Sequence, residues 1–206
     1  MRMFESVVIA CDPPRLDVAI AVRAALELFR LRVHLYFCVQ KRNVLDFLSG
    51  AIPDAQYVVL CCGGFGLSGP EATDVSRMGI EFARLVDYVD ARWQEVTLRL
   101  APADIPALVK LPGRTVISMG CMSGREPIAR AFLDAGCKAY IAPLTPVDQD
   151  SDALFIIGFF YHLLSEERDP TLACADEEAV RRAASIDTAF KEGTHVFRYF
   201  RAEGSN

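Results

Sequence analysis

Short apolar runs alternate with amphipathic segments along most of this chain. The runs are rich in β-branched residues and bounded by Gly, Pro or Asp, a pattern typical of strands buried on both faces of a parallel sheet. Because helical segments separate them, parallel strands joined by right-handed crossovers are expected. We therefore predict an α/β fold with a mostly parallel central sheet. The predicted strands are Ser6–Cys11, Val33–Val39, Gln56–Cys62, Val116–Met119 and Lys138–Ala142.

Between the strands, apolar residues three or four positions apart predict helices that bury one face. These helices are Leu16–Phe29, Val44–Leu48, Asp74–Arg92, Ile105–Val109, a segment from about Arg125 to Gly136, Asp150–Leu164 and Glu177–Phe190. Three further segments are less regular. We interpret Gly63–Pro70 as a glycine-rich loop, Val96–Leu100 as a short edge strand, and His195–Phe200 as a last strand or an ordered tail.

The composition predicts one globular domain over residues 1–206. A chain of 206 residues with 52% hydrophobic and 24% charged residues is large and apolar enough to bury a core. Its net charge of −5 argues against a nucleic-acid partner, which would require clustered Lys and Arg. No apolar run reaches the roughly 18 residues of a membrane helix, and the first residues lack the pattern of a signal peptide. We expect a cytoplasmic protein that binds neither nucleic acid nor membrane.

The seven cysteines predict reduced thiols rather than disulfides or a metal site. Four of them, Cys11, Cys38, Cys61 and Cys62, lie in or at the end of apolar strands, where a free cysteine behaves as a small hydrophobic residue. The chain has no Cys-x-x-Cys pair and no Cys/His spacing typical of zinc. We therefore expect no metal and no cofactor, in a reducing compartment.

Cys121 occupies the position at which α/β sheets usually place their chemistry. The strand Val116–Met119 is broken by Gly120, so Cys121 follows the carboxyl end of a buried strand. A helix begins a few residues later, and Pro127 suits its first turn. Backbone N–H groups here and at Gly64 are expected to form an oxyanion-type pocket.

The segment from Thr115 to Leu164 resembles the carboxyl half of a CHAT domain, a branch of the caspase-like peptidase fold that includes separase and gingipain. That family has a strand followed by Ala-Cys-x-Ser/Thr-Gly, a helix with Ala-Phe-Leu-x-Ala-Gly, a strand and a Pro-Val-Asp loop. The matching segments here are VISMGCMSG, ARAFLDAGCKAYIA, PLTPVDQD and a helix ending in FFYHLL. Weaker likeness extends from about Gln56 to Phe190. The resemblance implies a caspase-like three-layer αβα sandwich, with Cys121 at the nucleophile position.

One position departs from the family pattern. The family's catalytic His follows the third strand in a His-Gly turn, whereas Gly63-Gly64-Phe65 occupies that place here, and Gly63 replaces the His. We expect the loop that begins at Gly63 to lie beside Cys121 at the carboxyl edge of the sheet, because the family brings these two positions together.

The missing His determines which function the resemblance implies. A cysteine peptidase needs a base near the thiol, since the thiolate is the nucleophile. The three histidines, His34, His162 and His195, do not match the motif position. The resemblance therefore implies a degenerate, non-catalytic caspase-like domain that binds a protein or a ligand, with a protein or peptide as the expected partner. The alternative is an active cysteine peptidase with Cys121 as nucleophile and a displaced base.

Two other motifs complete the candidates. Gly64–Gly69 spells G-x-G-x-x-G after a strand, and Asp87 and Asp90 lie at about the distance expected for a ribose contact, so a Rossmann-like nucleotide binder is a second alternative. Its context differs from that motif, because Pro70-Glu71 follows instead of a helix start. Asp148 and Asp150 follow the fifth strand; the resemblance implies that they bind substrate, while Asp150 or Ser151 as a helix cap is the structural alternative.

Overall fold

The computed structural model describes residues 6–66, 74–164, 176–185 and 196–202. The first half contains β1 (Ser6–Cys11), α1 (Leu16–Leu28), β2 (Arg32–Phe37), α2 (Lys41–Leu48), β3 (Tyr57–Cys61), β4 (Gly63–Phe65), β5 (Gly79–Val89) and β6 (Arg92–Leu100). The second half contains α3 (Ile105–Leu108), β7 (Thr115–Ser118), α4 (Glu126–Asp134), β8 (Ala139–Pro143), α5 (Gln149–Leu164), α6 (Asp176–Ala183) and β9 (Phe197–Arg201).

Six strands form the central sheet, in the order β2-β1-β3-β7-β8-β9. The first five are parallel, as their β-branched runs predict, and β9 pairs antiparallel with β8 at one edge. The segment predicted as a last strand or ordered tail is thus a strand. The remaining strands form a separate antiparallel sheet in the order β4-β5-β6.

Apolar layers cover both faces of the central sheet. On one face the buried residues of α1, α5 and α6 form a core with the inward side chains of β1, β3 and β7. On the other face α2, α3 and α4, together with the small sheet, form a second core. Burial on both sides explains why these strands are continuously apolar. The predicted α/β sandwich with a mostly parallel sheet is confirmed.

The predicted helix Asp74–Arg92 is wrong, because this segment forms β5 and the start of a hairpin with β6. A β-bulge between Phe82 and Leu85, with Arg84 at φ 52°, explains the misleading pattern. The extra residue places the buried side chains of Phe82 and Leu85, three positions apart, on the same face of the strand, as they would be in a helix. Two further assignments change. Gly63–Phe65, predicted as part of a loop, is a strand, and the edge strand predicted to begin at Val96 begins four residues earlier, at Arg92.

The described residues contain no helix that is both long and apolar enough to cross a membrane. Of the predicted helix Glu177–Phe190, residues 186–190 lie outside the described part of the chain, and Asp176–Ala183 is helical. Because β1, β3, β7 and β8 run parallel, the segments after them meet at one edge of the sheet.

Candidate functional site

A tight turn after β7 holds Cys121 at the carboxyl edge of the sheet. The Ser118 hydroxyl accepts hydrogen bonds from the Gly120 N–H at 3.1 Å and from the Ser123 hydroxyl at 3.1 Å, so the two ends of the turn share one buried anchor. Met122 has φ 60°, a left-handed conformation that is uncommon outside glycine. Strain of this kind persists only where the surroundings over-determine the backbone. The turn is therefore rigidly built around Cys121.

The chain after β3 lies in direct backbone contact with this turn. A Cβ atom placed on Gly64 would overlap the carbonyl oxygen of Cys121 and lie 2.8 Å from its nitrogen. A Cβ on Gly120 would lie 2.7 Å from the carbonyl oxygen of Gly63. The expected adjacency of Cys121 and Gly63 is confirmed, and only glycine permits so close an approach. The role of Gly64 as an oxyanion donor stays a prediction.

The sulfur of Cys121 is bonded to the backbone of the loop after β8. Cys121 Sγ donates to the Val147 carbonyl at 3.3 Å and accepts from the Val147 N–H at 3.4 Å. Among the described residues, neither an imidazole nor a carboxylate is hydrogen-bonded to this sulfur. The thiol is partly exposed, so a ligand that approaches the loop would meet it.

The space beside Gly63 is shared by the side chains of Arg15 and Glu81. A Cβ on Gly63 would lie 3.3 Å from Arg15 Nη2 and 3.0 Å from Glu81 Cγ. Arg15 comes from the turn after β1, where its Nη1 donates to both carboxylate oxygens of the fully buried Asp12, at 3.0 and 3.2 Å. Asp12 Oδ2 also accepts a hydrogen bond from the N–H of Ala83 at 2.9 Å. Asp12 thus fixes both Arg15 and strand β5 against the site.

Charges around this cluster shift two pKa values. Burial alone would lower the pKa of Arg15, but the Asp12 carboxylate, with Cys62 and Cys121 nearby, raises it above its ordinary value. The pKa of Asp12 is raised by burial, against hydrogen bonds from Ala83 and Arg15 that lower it. Since a guanidinium does not give up its proton in proteins, Arg15 is a permanent cation beside Cys121 and has no capacity to act as a base.

A second carboxylate, Asp152, lies on the first turns of α5. It is only 3% exposed, and its Oδ1 has no hydrogen-bond partner among the described residues. Burial raises its pKa to about 8; the Arg15 cation lowers it and the Asp148 carboxylate raises it. A buried carboxylate without a partner is costly to ionise, and an incoming cation would relieve that cost.

The histidines that the structure describes lie far from Cys121. His34 is in the middle of β2, the edge strand three positions from β7, so it is roughly 14 Å away across the sheet. His162 is thirteen residues into α5, about 20 Å along its axis from the helix start. His195 lies outside the described residues.

The two predicted substrate-binding carboxylates are exposed in the loop after β8 and at the start of α5. Asp148 accepts a hydrogen bond from the Ser151 N–H at 2.8 Å, which lowers its pKa. It is therefore Asp148, rather than Asp150 or Ser151, that caps α5. Neither Asp148 nor Asp150 is buried against the turn. Their proposed contact with a substrate stays a prediction.

The Gly64–Gly69 motif begins inside a β-strand, whereas a dinucleotide-binding motif lies between a strand and a helix. Gly64 pairs with Ile80 in an antiparallel ladder, and Gly69 lies outside the described residues. Asp87 is in strand β5 and Asp90 in the hairpin turn, so they do not share the helical face that the sequence predicts. Among the described residues, no cluster of His, Cys, Asp or Glu is arranged to hold a metal ion.

Sequence reasoning missed Arg15, Asp12 and Glu81, and it assigned no role to Asp152. The sequence does contain a signal for Arg15 and Asp12. The Asp12-Pro13-Pro14-Arg15 segment directly follows the first parallel strand, and therefore reaches the same edge as Cys121. Glu81 had no such signal, because the strand that holds it was assigned as a helix.

Cys121 should be the fastest-reacting of the six cysteines that the structure describes. Burial raises the pKa of Cys11, Cys38, Cys62 and Cys137 to about 12 and that of Cys61 well above its ordinary value. We expect a pulse of iodoacetamide at pH 7.5 to modify Cys121 at least about tenfold faster than these five, because only the accessible thiolate reacts. Peptide mass spectrometry measures each site separately, including Cys174. Faster labelling of any of the five buried cysteines would contradict this.

Similarity to known proteins is confined to structure. No family model matches the sequence, and no curated protein sequence matches it. Two structures of the Saccharomyces cerevisiae separase–securin complex match 97% of this chain with TM-scores of 0.56 and 0.57, at 10% sequence identity. The fold is caspase-like. It corresponds to 12% of the length of the separase chain.

The caspase-like fold agrees with the sequence resemblance at its coarser level. The sandwich, the parallel sheet and the placement of Cys121 after β7 follow the arrangement that the resemblance implies. The narrower assignment to CHAT domains stays a prediction. At 10% identity the likeness to separase concerns the fold, and the activity of this chain has to be argued from its own residues.

Proposed function

We propose that this chain is a caspase-like domain that binds a polypeptide segment at the Cys121 edge without cleaving it. The observation that carries the proposal is the pair Gly63 and Arg15. Gly63 has no side chain, and two groups lie next to it: the Arg15 guanidinium, which does not accept a proton, and the Glu81 carboxylate, which is already paired with Arg99. Acyl transfer to a thiol needs a base beside the sulfur and an acid for the leaving amine. Arg15 supplies neither.

The hydrogen bonds of Cys121 support the same proposal. Its sulfur exchanges two hydrogen bonds with the Val147 backbone, which is a structural arrangement rather than an activated one. The hydrolase alternative would depend on Glu81, whose Oε1 lies 3.3 Å from a Cβ position on Gly63. The other oxygen of that carboxylate already accepts from Arg99 Nε at 3.0 Å, which disfavours its use as a base.

The partner segment that fits best has a basic side chain. Asp152 is a buried carboxylate with an unpartnered oxygen close to the edge at which Cys121 lies. A bound ammonium or guanidinium group would satisfy that oxygen and favour its ionised form, and a charge-assisted hydrogen bond of this kind is among the stronger polar contacts. Protein partners of caspase-like folds provide a precedent, since the separase structures contain securin.

Fluorescent hexapeptide pools with a fixed central Arg or a fixed central Asp test the proposal. We expect the Arg pool to bind and to remain intact by mass spectrometry after overnight incubation. Asp152→Asn should weaken binding of the Arg pool at least about tenfold, because it removes the charged acceptor. The matched control is Asp134→Asn, an exposed carboxylate at the end of α4, which should bind normally.

Two outcomes would contradict the proposal. Cleavage of either pool by the wild-type chain, abolished in both Cys121→Ala and Glu81→Gln, would establish the hydrolase alternative. Equal binding of the Arg and Asp pools, unaffected by Asp152→Asn, would remove Asp152 from the binding site.

A further inference from the structure

A cavity of about 530 Å³ lies on the small sheet, beside the Cys121 turn. Its wall includes Gly66, and a Cβ on that residue would lie 3.8 Å from the Met122 side chain. Since Met122 directly follows Cys121, the cavity is a neighbour of the proposed binding edge. The other lining residues that matter are Phe65, Ser76, Arg77, Arg99 and Asp104.

The Arg99 side chain is held in position, and its two terminal nitrogens remain available to donate hydrogen bonds to a ligand. Its guanidinium carbon lies 5.4 Å from the centre of the Phe65 ring, and its Nε donates to Glu81 at 3.0 Å. Stacking on the ring and the Glu81 bond together fix the plane of the guanidinium. Within the described part of the chain its Nη1 and Nη2 donate no hydrogen bond. A planar guanidinium with two free terminal nitrogens is the group that recognises oxyanions in a bidentate manner.

The donors that the described cavity wall leaves open favour an anion. The wall has two arginines, Arg77 and Arg99, whose formal charges are balanced by the carboxylates of Asp104 and Glu81. Both carboxylates are engaged, because Asp104 accepts the Ala101 N–H at 2.9 Å and Glu81 accepts from Arg99 Nε at 3.0 Å. Nη1 and Nη2 of Arg99 are therefore the groups that select the ligand, whereas the region around Asp152 offers an unpartnered carboxylate. The two regions differ in the ligand charge that they prefer.

We propose that this cavity binds an oxyanion, a carboxylate or a phosphoryl group, through Arg99 over Phe65. The inference rests on the proposed function only in taking the oxyanion to be a side chain of the bound polypeptide. That polypeptide then carries a basic side chain for the Asp152 region and an acidic or phosphorylated side chain for Arg99. Glu81 competes with the ligand for Arg99, because both are anions that bind one guanidinium.

The test uses free anions, so that it is independent of the polypeptide partner. Acetate and inorganic phosphate are titrated separately into the ¹⁵N-labelled chain at constant ionic strength, balanced with sodium chloride, while amide shifts of Phe65 and Gly66 are followed. We expect a saturable shift with at least one anion. Acetate alone would identify a carboxylate side chain as the ligand, and phosphate alone a phosphorylated one.

Three variants separate the site from general charge effects. Arg99→Gln should weaken binding at least about tenfold, whereas Arg42→Gln, an exposed arginine on α2, should change it less than twofold. Glu81→Gln should bind more tightly than wild type, since it removes the competing anion, and a merely structural role for Arg99 predicts no such gain. Urea unfolding confirms that each variant is folded.

The proposal is overturned if neither anion gives a saturable shift, if Arg99→Gln binds as wild type does, or if Arg42→Gln loses as much as Arg99→Gln. Any of these results leaves peptide binding through Asp152 untouched. Conversely, failure of the hexapeptide experiment would not alter binding of the free anions.

Discussion

Gly64→Ala should destabilise the fold by at least about 3 kcal/mol, because the new methyl group has no space. Its carbon would overlap the carbonyl oxygen of Cys121 and lie 2.7 Å from the carbonyl carbon, and both are backbone atoms. Relief requires β4, which directly follows β3, to separate from the turn after β7. Those two strands are neighbours in the buried centre of the sheet, so neither moves cheaply.

Gly66→Ala is the matched control two residues away. Its nearest neighbours would be Met78 Cβ at 3.6 Å and Met122 Cε at 3.8 Å, which are ordinary van der Waals distances. We expect a change within about 0.5 kcal/mol. Urea unfolding monitored by far-UV circular dichroism gives both free energies of unfolding. Similar small losses in the two variants would show that the backbones of Gly64 and Cys121 do not touch.

Much of the sheet is predictable because each parallel strand carries its own signal. The runs in β1 after Ser6 and in β3 are apolar at every position, since both faces are covered, and the strand assignment follows without knowledge of the partners. The turn at Cys121 is equally local. Gly120 and Gly124 interrupt apolar periodicity on either side, so the strand, turn and helix can be assigned from the sequence alone.

The small sheet is not predictable from the same reasoning, for a physical reason. In a regular strand the core residues are an even number of positions apart. The bulge near Arg84 changes that separation to three between Phe82 and Leu85, and Met78 and Phe82 are four apart. Spacings of three and four are those of an amphipathic helix. Only pairing with β6, a long-range contact, distinguishes the two structures.

The sequence predicts which backbone segments form the site, but not which charged side chains surround it. Cys121 and Gly63 follow neighbouring strands, and their meeting depends on the order of the sheet. The side chains that give the site its charge come from elsewhere: Arg15 follows β1, and Asp152 lies 31 residues after Cys121. Their proximity depends on how α1 and α5 pack on one face of the sheet, which periodicity does not specify.

The same charges bear on the proposed function. A cysteine hydrolase needs a base that is unprotonated near neutral pH beside its thiol. The side of Cys121 at which the sequence resemblance would place that base holds the permanent cation of Arg15 and the Glu81 side chain, while the group with a pKa of about 8 is Asp152. Asp152 is a hydrogen-bond acceptor when ionised, and under the proposed function it holds a cationic ligand.

Asp152→Asn should make the domain more stable at alkaline pH, with a gain that grows as pH rises. The pKa of Asp152 is about 8 in the folded state against an ordinary 3.8, chiefly because burial disfavours the charged form. Below the lower value both states are protonated, so wild type and variant should be equally stable. Between the two values the unfolded chain has lost the proton while the folded chain keeps it, so wild-type stability falls as pH rises.

Above about pH 8 the free energy of unfolding of Asp152→Asn should exceed that of wild type by its full amount. The linkage relation gives this difference as roughly 4 to 6 kcal/mol. Urea unfolding at pH 4, 6 and 8.5, with Asp150→Asn as the exposed control, measures it. If the free energy of unfolding changes with pH in the same way for wild type and Asp152→Asn, the Asp152 carboxylate has a partner in the folded state. A widening gap would show that the chain retains a destabilising buried carboxylate, as the proposed function expects of a group kept for a cationic ligand.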